Sequence, residues 1–201
     1  NLNLFIKERS KIAIIGKNGA GKTTFADLLC GFLKANNGDI FIGNEKIGEK
    51  DYINFSSYLV KLEQTPIIFD DTLRGNLLLA KIDASDEKLI TALKLTGMNS
   101  WFENLKDGLD TNIYESGDNI SGGQKQRIAL SRIILLNPKI IILDEFTSSI
   151  DEKDTIWFYE NISKIFPTST IIAITHHLNM LNNFEKVYIL ENQNLKEFKN
   201  V

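Results

Sequence analysis

Four short apolar runs mark the strands that this chain is expected to bury. They cover residues 11–15, 140–143, 171–174 and 187–190. Continuous Ile, Val and Leu, rather than strict alternation with polar residues, is typical of parallel strands covered on both faces. Helical patterns occur at residues 22–33, 86–96, 124–136 and 152–165. This order of strands and helices predicts an α/β fold with a mainly parallel sheet.

The middle of the chain has a different pattern. Apolar side chains at Leu89, Ile90 and Leu93 recur at helical spacing, and Asp86 favours a helix start there. We find no convincing strand between residues 72 and 136. The pattern predicts one domain in which a helical subdomain, about residues 72–136, is inserted into a core lobe of about residues 1–71 and 137–201.

Composition narrows the function classes. A chain of 201 residues with 43% hydrophobic content is long enough to bury a sizeable core. Its net charge of -3 gives no electrostatic reason to expect nucleic acid as a partner. The lone cysteine, Cys30, excludes an internal disulfide. No apolar run approaches the roughly 18–20 residues of a membrane-spanning helix, so we expect a soluble domain whose membrane role requires another segment or chain.

A glycine-rich loop is the first candidate for chemistry. Residues 16–23, GKNGAGKT, fit the phosphate-binding pattern GxxxxGK[ST] between a predicted strand and a predicted helix. Backbone N–H groups and the helix N-terminus favour phosphate there. Lys22 is expected to reach the β- and γ-phosphates, and the Thr23 hydroxyl to bind Mg²⁺. The predicted nucleotide contacts are Gly16, Asn18, Gly19, Ala20, Gly21, Lys22, Thr23 and Thr24.

Two carboxylates follow the apolar run at residues 140–143. Because ligands of α/β sheets collect at the carboxyl ends of strands, Asp144 and Glu145 are expected to face the phosphates. Asp144 is then a Mg²⁺ carboxylate, bound directly or through water, and Glu145 is placed to orient and deprotonate an attacking water. The alternative is a pair of solvated acids after a buried strand.

A second glycine-rich helix start lies far along the chain, at Ser121, Gly122, Gly123 and Gln124. Ser121 suits a helix N-cap, and the glycines allow an anion to approach the backbone closely. Taken alone, this segment is a capped helix after a turn. Beside a phosphate loop it has a second interpretation. One nucleotide has one γ-phosphate, so this site would serve a nucleotide held by another molecule.

These motifs together resemble the nucleotide-binding domain of ATP-binding cassette (ABC) proteins. Residues 120–124, ISGGQ, are similar to the family signature LSGGQ, and the phosphate loop and Asp144-Glu145 occur in the family order. The resemblance covers essentially the whole chain and implies a P-loop NTPase core with an inserted α-helical subdomain. Residues 69–76 and 110–117 resemble exporter-type segments, although exporters usually carry a glycine near Tyr114.

The resemblance also implies roles for three isolated residues. Gln64 matches the glutamine that senses Mg²⁺ and water, Asp151 matches a loop at the dimer interface, and His176 matches a γ-phosphate contact. From the residues alone, Gln64 is a solvated side chain and Asp151 a helix N-cap, a role compatible with the first. His176 and His177 are not expected to bind a metal together, because consecutive side chains diverge after a strand.

The function implied by the resemblance is ATP hydrolysis that powers export across a membrane, with ATP and Mg²⁺ as cofactors. Two such domains would pair head to tail, each ATP lying between Lys22 of one and residues 121–123 of the other. Transmembrane domains in the same or a partner chain would hold the pair at the cytoplasmic face of the membrane. The alternatives are a soluble ABC ATPase acting on ribosomes or DNA, and a non-hydrolysing module in which Glu145 would have no purpose.

The N-terminus departs from the family pattern. ABC domains place an aromatic residue that stacks on adenine well upstream of the phosphate loop. Only fifteen residues precede Gly16, and Phe5 is too close to serve. The expectation is therefore an N-terminally truncated domain, cut from a longer polypeptide. The transported substrate and the identity of the partner domain are not encoded in these residues.

Overall fold

The computed structural model describes residues 2–47, 58–63, 65–114, 119–147 and 151–198. The α-helices in these ranges are α1 (Lys22–Cys30), α2 (Leu73–Leu78), α3 (Asp86–Leu95), α4 (Asn99–Glu103), α5 (Gly122–Leu136) and α6 (Glu152–Ile165). The strands are β1 (Lys11–Ile15), β2 (Phe41–Ile42), β3 (Glu45–Lys46), β4 (Leu59–Leu62), β5 (Asp71–Thr72), β6 (Asn112–Ile113), β7 (Ile140–Asp144), β8 (Thr170–Ile174), β9 (Lys186–Glu191) and β10 (Asn194–Glu197). Within the described ranges, 3₁₀ segments cover Gly108–Asp110 and Leu178–Asn183.

The contacts within the chain divide it into two compact units. The first consists of Asn1–Lys61, Pro138–Glu145 and Thr168–Val201, and the second of Leu62–Asn137 and Phe146–Pro167. The residues of the predicted helical subdomain, 72–136, all fall within the second unit. That unit also contains α6, which lies outside the predicted subdomain.

A six-stranded sheet with the order β10-β9-β1-β8-β7-β4 organises the first unit. Strand β1 pairs in parallel with β8 and β9, and β7 pairs in parallel with β8, whereas β10 is antiparallel to β9. The four apolar runs are confirmed as strands β1, β7, β8 and β9, and the mainly parallel sheet is confirmed with them. Parallel pairing brings the carboxyl ends of β1, β7 and β8 to the same edge.

Helix α1 covers part of this sheet. Its Phe25 and Ala26 are buried in one cluster with Ile14, Ile142 and Ile174 of three neighbouring strands. The helix ends at Cys30, three residues before the predicted end, because Gly31 takes a left-handed conformation with φ of 74°. The buried face of α1 fixes the position of the loop that precedes it.

Several strands gave no clear signal in the sequence. Strand β4 reads LVKL, and Lys61 interrupts its apolar pattern. The edge strand β10 reads NLKE and is mostly exposed. The expectation of no strand between residues 72 and 136 is wrong, because β5 pairs with β6. Each of these strands has two residues, which is too short for a periodic pattern.

The second unit has its own apolar core. Helices α2 and α3 pack against α5, the long helix that runs through this unit. The side chains that are almost fully buried at these contacts are Leu73, Leu77, Leu89, Leu93 and Ile128. Their apolar spacing in α3 follows the helical pattern seen in the sequence.

A partly buried arginine fastens α5 to α2. Arg132 Nε donates to the backbone oxygen of Asn76 at 2.7 Å, and its Nη1 donates to the oxygen of Ile67 at 2.6 Å. Asn76 is fully buried and donates in turn to the oxygen of Phe69 at 2.9 Å. Burial lowers the pKa of Arg132, although the guanidinium remains charged at any physiological pH.

We predict that Leu93→Ala destabilises the protein by about 2–5 kcal/mol, because it leaves a cavity in the core of the second unit. Leu95→Ala is the matched control, since Leu95 lies on the same helix and is 42% exposed. It should cost less than about 1 kcal/mol. Urea unfolding of both variants measures the difference, and equal losses would contradict the placement of Leu93.

Candidate functional site

The phosphate loop lies between β1 and α1, as the sequence predicts. All five residues of β1 are buried, so the loop starts from a fixed point at the edge of the sheet. Gly19 and Gly21 have φ of 80° and 96°, a left-handed conformation that favours glycine. Gly16 approaches β9 closely, since a Cβ there would lie 2.6 Å from the oxygen of Leu190. Of the remaining loop contacts, Ala20 is half-buried and Asn18, Thr23 and Thr24 are exposed.

Lys22 folds back over its own loop. Its Nζ donates to the oxygens of Gly16 at 3.0 Å and Lys17 at 3.2 Å, and its side chain is 7% exposed. The same ammonium lies 3.5 Å from Oε1 of Glu145. The structure therefore brings the predicted phosphate lysine and the predicted base together. A buried ammonium held by carbonyls and one carboxylate is a natural place for an anion to bind.

The two adjacent acids at the end of β7 point to different partners. Asp144 is the last residue of the strand and is buried, whereas Glu145 has a left-handed φ of 47° and its side chain is 31% exposed. The N–H of Glu145 donates to the oxygen of Ile174 at 3.0 Å, which ties this turn to the end of β8. The turn ends the strand alternation, and Glu145 thereby reaches Lys22.

Asp144 pairs with a lysine that the sequence analysis missed. Lys61 Nζ lies 3.2 Å from Asp144 Oδ2 and 2.7 Å from Asp27 Oδ1 of α1. Burial opposes the charge on Lys61, but hydrogen bonds and ion pairs with Asp27 and Asp144 outweigh this effect and raise its pKa. A lysine inside the apolar pattern of β4 was the one signal in the sequence that could have pointed to this cluster.

The two histidines after β8 contradict one expectation. Their ring centroids are 4.3 Å apart with an interplanar angle of 31°, so the side chains of His176 and His177 do not diverge. Strand β8 ends at Ile174, two residues earlier, and strand alternation no longer applies there. His176 is exposed on the same unit as Lys22 and Glu145. Gln64 lies outside the described residues.

The second glycine-rich helix start is built as a capping box. Ser121 is the N-cap of α5, and its Oγ accepts from the N–H of Gln124 at 3.2 Å. The Gln124 side chain accepts in return from the N–H of Ser121 at 2.8 Å. The N-cap prediction for Ser121 is confirmed. The same prediction for Asp151 is confirmed too, because its Oδ1 accepts from the N–H of Asp154 at 2.8 Å at the start of α6.

An open pocket in the second unit lies over the start of α5. It is lined by the predicted residues Ser121, Gly122, Gly123, Gln124 and Asp151, together with Trp101. The structure thus brings the two predicted elements of this unit to one surface. The first turns of α5 and α6 both line this pocket, so the partial positive charge of two helix starts lies beside it, together with the acidic residues Asp151 and Asp154.

Arg127 contacts several residues around this pocket and was not predicted from the sequence. Its Nη2 pairs with Asp154 Oδ1 at 2.6 Å, its Nη1 donates to the oxygen of Thr96, and its guanidinium lies 5.1 Å from the ring centroid of Trp157. These contacts join α5 to the end of α3 and the start of α6. Arg127 therefore lines the pocket and also holds the starts of α5 and α6 in place.

None of the helices in the described part of the chain has the length and apolar character of a membrane span.

Known proteins are similar to this chain in sequence and in fold. The sequence model of the ABC transporter family matches residues 1–148. An export ATP-binding/permease protein from Rickettsia typhi is 34% identical over 191 residues, which is 95% of this chain and 33% of that protein. An ATP-dependent permease from Candida albicans is 35% identical over 192 residues, 94% of this chain and 28% of that protein.

A multidrug export ATP-binding/permease protein from Staphylococcus aureus is 33% identical to this chain. The match covers 98% of this chain and 34% of that protein. The solved structure of a bacterial Atm1-family ABC exporter with ATP bound matches with a TM-score of 0.85 and 30% identity. That match covers 94% of this chain and 33% of the exporter chain. The chain thus spans about a third of the length of these relatives.

We predict that Gly97→Ala destabilises the protein more than Gly108→Ala. Both glycines have a positive φ, and the strain of a side chain in that region costs about 1–2 kcal/mol. A Cβ on Gly97 would also lie 2.4 Å from Arg127 Nη1, whereas the nearest atom to a Cβ on Gly108 is 4.0 Å away. Displacing the anchored guanidinium should add about 1–3 kcal/mol in urea unfolding. Equal losses would mean that the Arg127 contacts contribute little.

Proposed function

Because this chain belongs to the ABC transporter family, we propose that it binds ATP with Mg²⁺ and hydrolyses it to power export across a membrane. The observation that carries the proposal is the 3.5 Å approach of Lys22 Nζ to Glu145 Oε1 at the mouth of the phosphate loop. The Lys22 ammonium is suited to binding phosphate, and the Glu145 carboxylate is suited to orienting water. Together they supply the charge stabilisation and the base that hydrolysis needs.

Lys22 is the phosphate contact in this proposal. Its ammonium is held by the carbonyls of Gly16 and Lys17, which are neutral acceptors. A phosphate oxygen carries a full charge and forms a stronger hydrogen bond, so it can replace these partners. The loop N–H groups and the start of α1 then face the remaining phosphate oxygens. His176, exposed after β8, is proposed as the γ-phosphate contact.

Glu145 is proposed as the general base. Its side chain is partly exposed and lies beside the lysine rather than in the apolar core. A carboxylate in this position can orient a water and accept its proton, which typically contributes about 10²- to 10⁴-fold to the rate. A module that used ATP for association alone would not need this group. The observed geometry thus favours hydrolysis over the non-hydrolysing alternative.

The residues present fit Mg²⁺ as the metal. Thr23 offers a hydroxyl and Asp144 a carboxylate, which are hard oxygen donors of the kind Mg²⁺ prefers, and Gln64 would add an amide oxygen. In the described ranges no group of three or more His, Cys, Asp or Glu side chains could hold an ion alone. Such a site suits a cation that takes its other ligands from phosphates and water. When bound, Mg²⁺ neutralises charge that develops on the phosphates.

The pocket over α5 is proposed to serve the ATP of a second domain. The phosphate loop already accounts for the phosphates of one nucleotide, so a second anion site needs a second nucleotide. Two domains related head to tail would place residues 121–123 and Asp151 of one against the ATP on Lys22 of the other. ATP would then favour the closed pair through its contacts to both domains.

The whole machine is proposed from the relatives. Three of them are named as ATP-binding/permease proteins or permeases, and this chain matches about a third of each. We therefore place the transmembrane domains in the same or a partner chain and this domain at the cytoplasmic face of the membrane. An acidic chain with net charge of -3 offers no support for the ribosome- or DNA-directed alternative.

Replacing the base gives the first test of hydrolysis. Glu145→Gln should lower the steady-state rate of ATP hydrolysis by at least about 100-fold, because the amide cannot accept a proton. ATP should still bind, so a dimer should accumulate on a sizing column. Glu160→Gln, at an exposed position of α6, is the control and should behave as the unaltered protein. Undiminished hydrolysis by Glu145→Gln would contradict the assignment.

Mixing two defective variants tests the shared site. Lys22→Ala removes the phosphate lysine, and Gly123→Val blocks the approach to the start of α5. A Cβ on Gly123 meets its nearest atom at 3.9 Å, which is an ordinary van der Waals contact. Each variant alone should be inactive, whereas a mixture should regain activity because one intact composite site forms in each mixed pair. No recovery in a mixture that does dimerise would contradict shared sites.

A further inference from the structure

Lys61 places a charge where the apolar pattern of β4 gives no reason for one. Its side chain is 6% exposed, and its Nζ lies 2.7 Å from Asp27 Oδ1 and 3.2 Å from Asp144 Oδ2. We propose that Lys61 is a positioning residue for the metal site. Its ammonium holds the Asp144 carboxylate until a divalent cation takes it, and then remains paired with Asp27.

The Lys61 ammonium offsets part of the negative charge of two carboxylates. Asp27 and Asp144 would repel each other and resist burial without a cation between them. Lys61 provides that cation from the strand beside β7, while α1 carries Asp27 and packs against β7. One ammonium against two carboxylates leaves a single net negative charge. A divalent cation is attracted by the carboxylates and repelled by the ammonium, so Lys61 sets how strongly Asp144 binds metal.

The two carboxylates are not equivalent partners. Asp27 is closer to the ammonium than Asp144 and is more exposed, at 24% against 9% for the side chains. Asp27 also follows Thr23 by four positions on α1, which puts it on the same face of the helix one turn later. If Asp144 turned to a metal, Asp27 would still neutralise Lys61. The second carboxylate thereby favours the exchange, because it keeps an opposite charge beside the buried ammonium.

The exchange couples metal to nucleotide. Without phosphates, a cation gains one carboxylate and one hydroxyl and must compete with an ammonium already in place. With phosphates bound to the loop, their oxygens would add to the metal ligands. The metal would then displace the Lys61 ammonium from Asp144. Lys61 therefore lowers the affinity for the metal both with and without ATP, so that the metal needs the phosphate oxygens in order to bind.

This inference rests on the proposed function, so its test is chosen to separate the two. The dissociation constant of a fluorescent ATP analogue is measured in EDTA and in Mg²⁺. The constant in EDTA divided by the constant in Mg²⁺ is the ratio that reports how much the metal strengthens binding. Absence of analogue binding by the unaltered protein would overturn the proposed function. If the analogue binds but neither Lys61→Met nor Asp27→Asn changes the ratio, only the role of Lys61 is overturned.

Lys61→Met keeps the length of the side chain and removes its charge. The ratio should rise by roughly tenfold, because a repulsive charge a few ångströms from the cation is lost. Lys61→Arg is the matched control and should not raise the ratio. Asp27→Asn should shift the ratio the other way, by roughly tenfold, since the Asp27 carboxylate is no longer present to pair with Lys61 when Asp144 turns to the metal. When Lys61→Met is already present, adding Asp27→Asn should change the ratio much less.

Other roles for Lys61 give other results. A lysine that bound phosphate directly would weaken the analogue equally in EDTA and Mg²⁺ when replaced, and the unchanged ratio would overturn the proposal. A purely structural lysine would lower the unfolding temperature and leave the ratio unchanged, which would also overturn it. If Lys61→Met does not fold, Asp27→Asn decides alone. A lower ratio supports the exchange, and an unchanged or higher ratio overturns it.

Discussion

A charge buried in a protein has to be neutralised there, and at the carboxyl edge of the central sheet this requirement joins elements far apart in the chain. Lys22 and Lys61 are both almost fully buried. The first is satisfied by loop carbonyls and Glu145, the second by Asp27 and Asp144. Any ligand must therefore replace a partner that is already present. Binding is an exchange of partners, and its strength depends on what each displaced group keeps.

The turn after β7 gives Asp144 and Glu145 different partners. On a regular strand, consecutive side chains point to opposite faces, and Glu145 would follow Asp144 in that pattern. The left-handed φ of 47° at Glu145 breaks it, at a cost of roughly 1–3 kcal/mol for a residue other than glycine. The N–H of Glu145 bonded to Ile174 holds the turn in place. Asp144 consequently stays with the buried lysine of β4, and Glu145 faces the phosphate loop.

The parts of this fold that could be predicted are those whose cause is local. Strands β1, β7, β8 and β9 are continuous apolar runs, and the phosphate loop carries its own glycine pattern. The parts that could not be predicted depend on distant partners. Lys61 in β4 looks like a solvated residue until Asp27, 34 positions away, and Asp144 are brought beside it. The same holds for Arg127, whose partners Thr96 and Trp157 lie on other helices.

The capping box also explains why two glycines follow Ser121. A helix start has four N–H groups without partners in the helix. Here the box satisfies the N–H of Ser121 through the Gln124 side chain and the N–H of Gln124 through the Ser121 hydroxyl. In the proposed head-to-tail pair, phosphate contacts from this first turn would therefore come from Gly122 and Gly123, which carry no side chain to shield their N–H groups. A Cβ at Gly123 meets its nearest atom at 3.9 Å, so a side chain there would leave the helix intact and would obstruct the proposed phosphate contact.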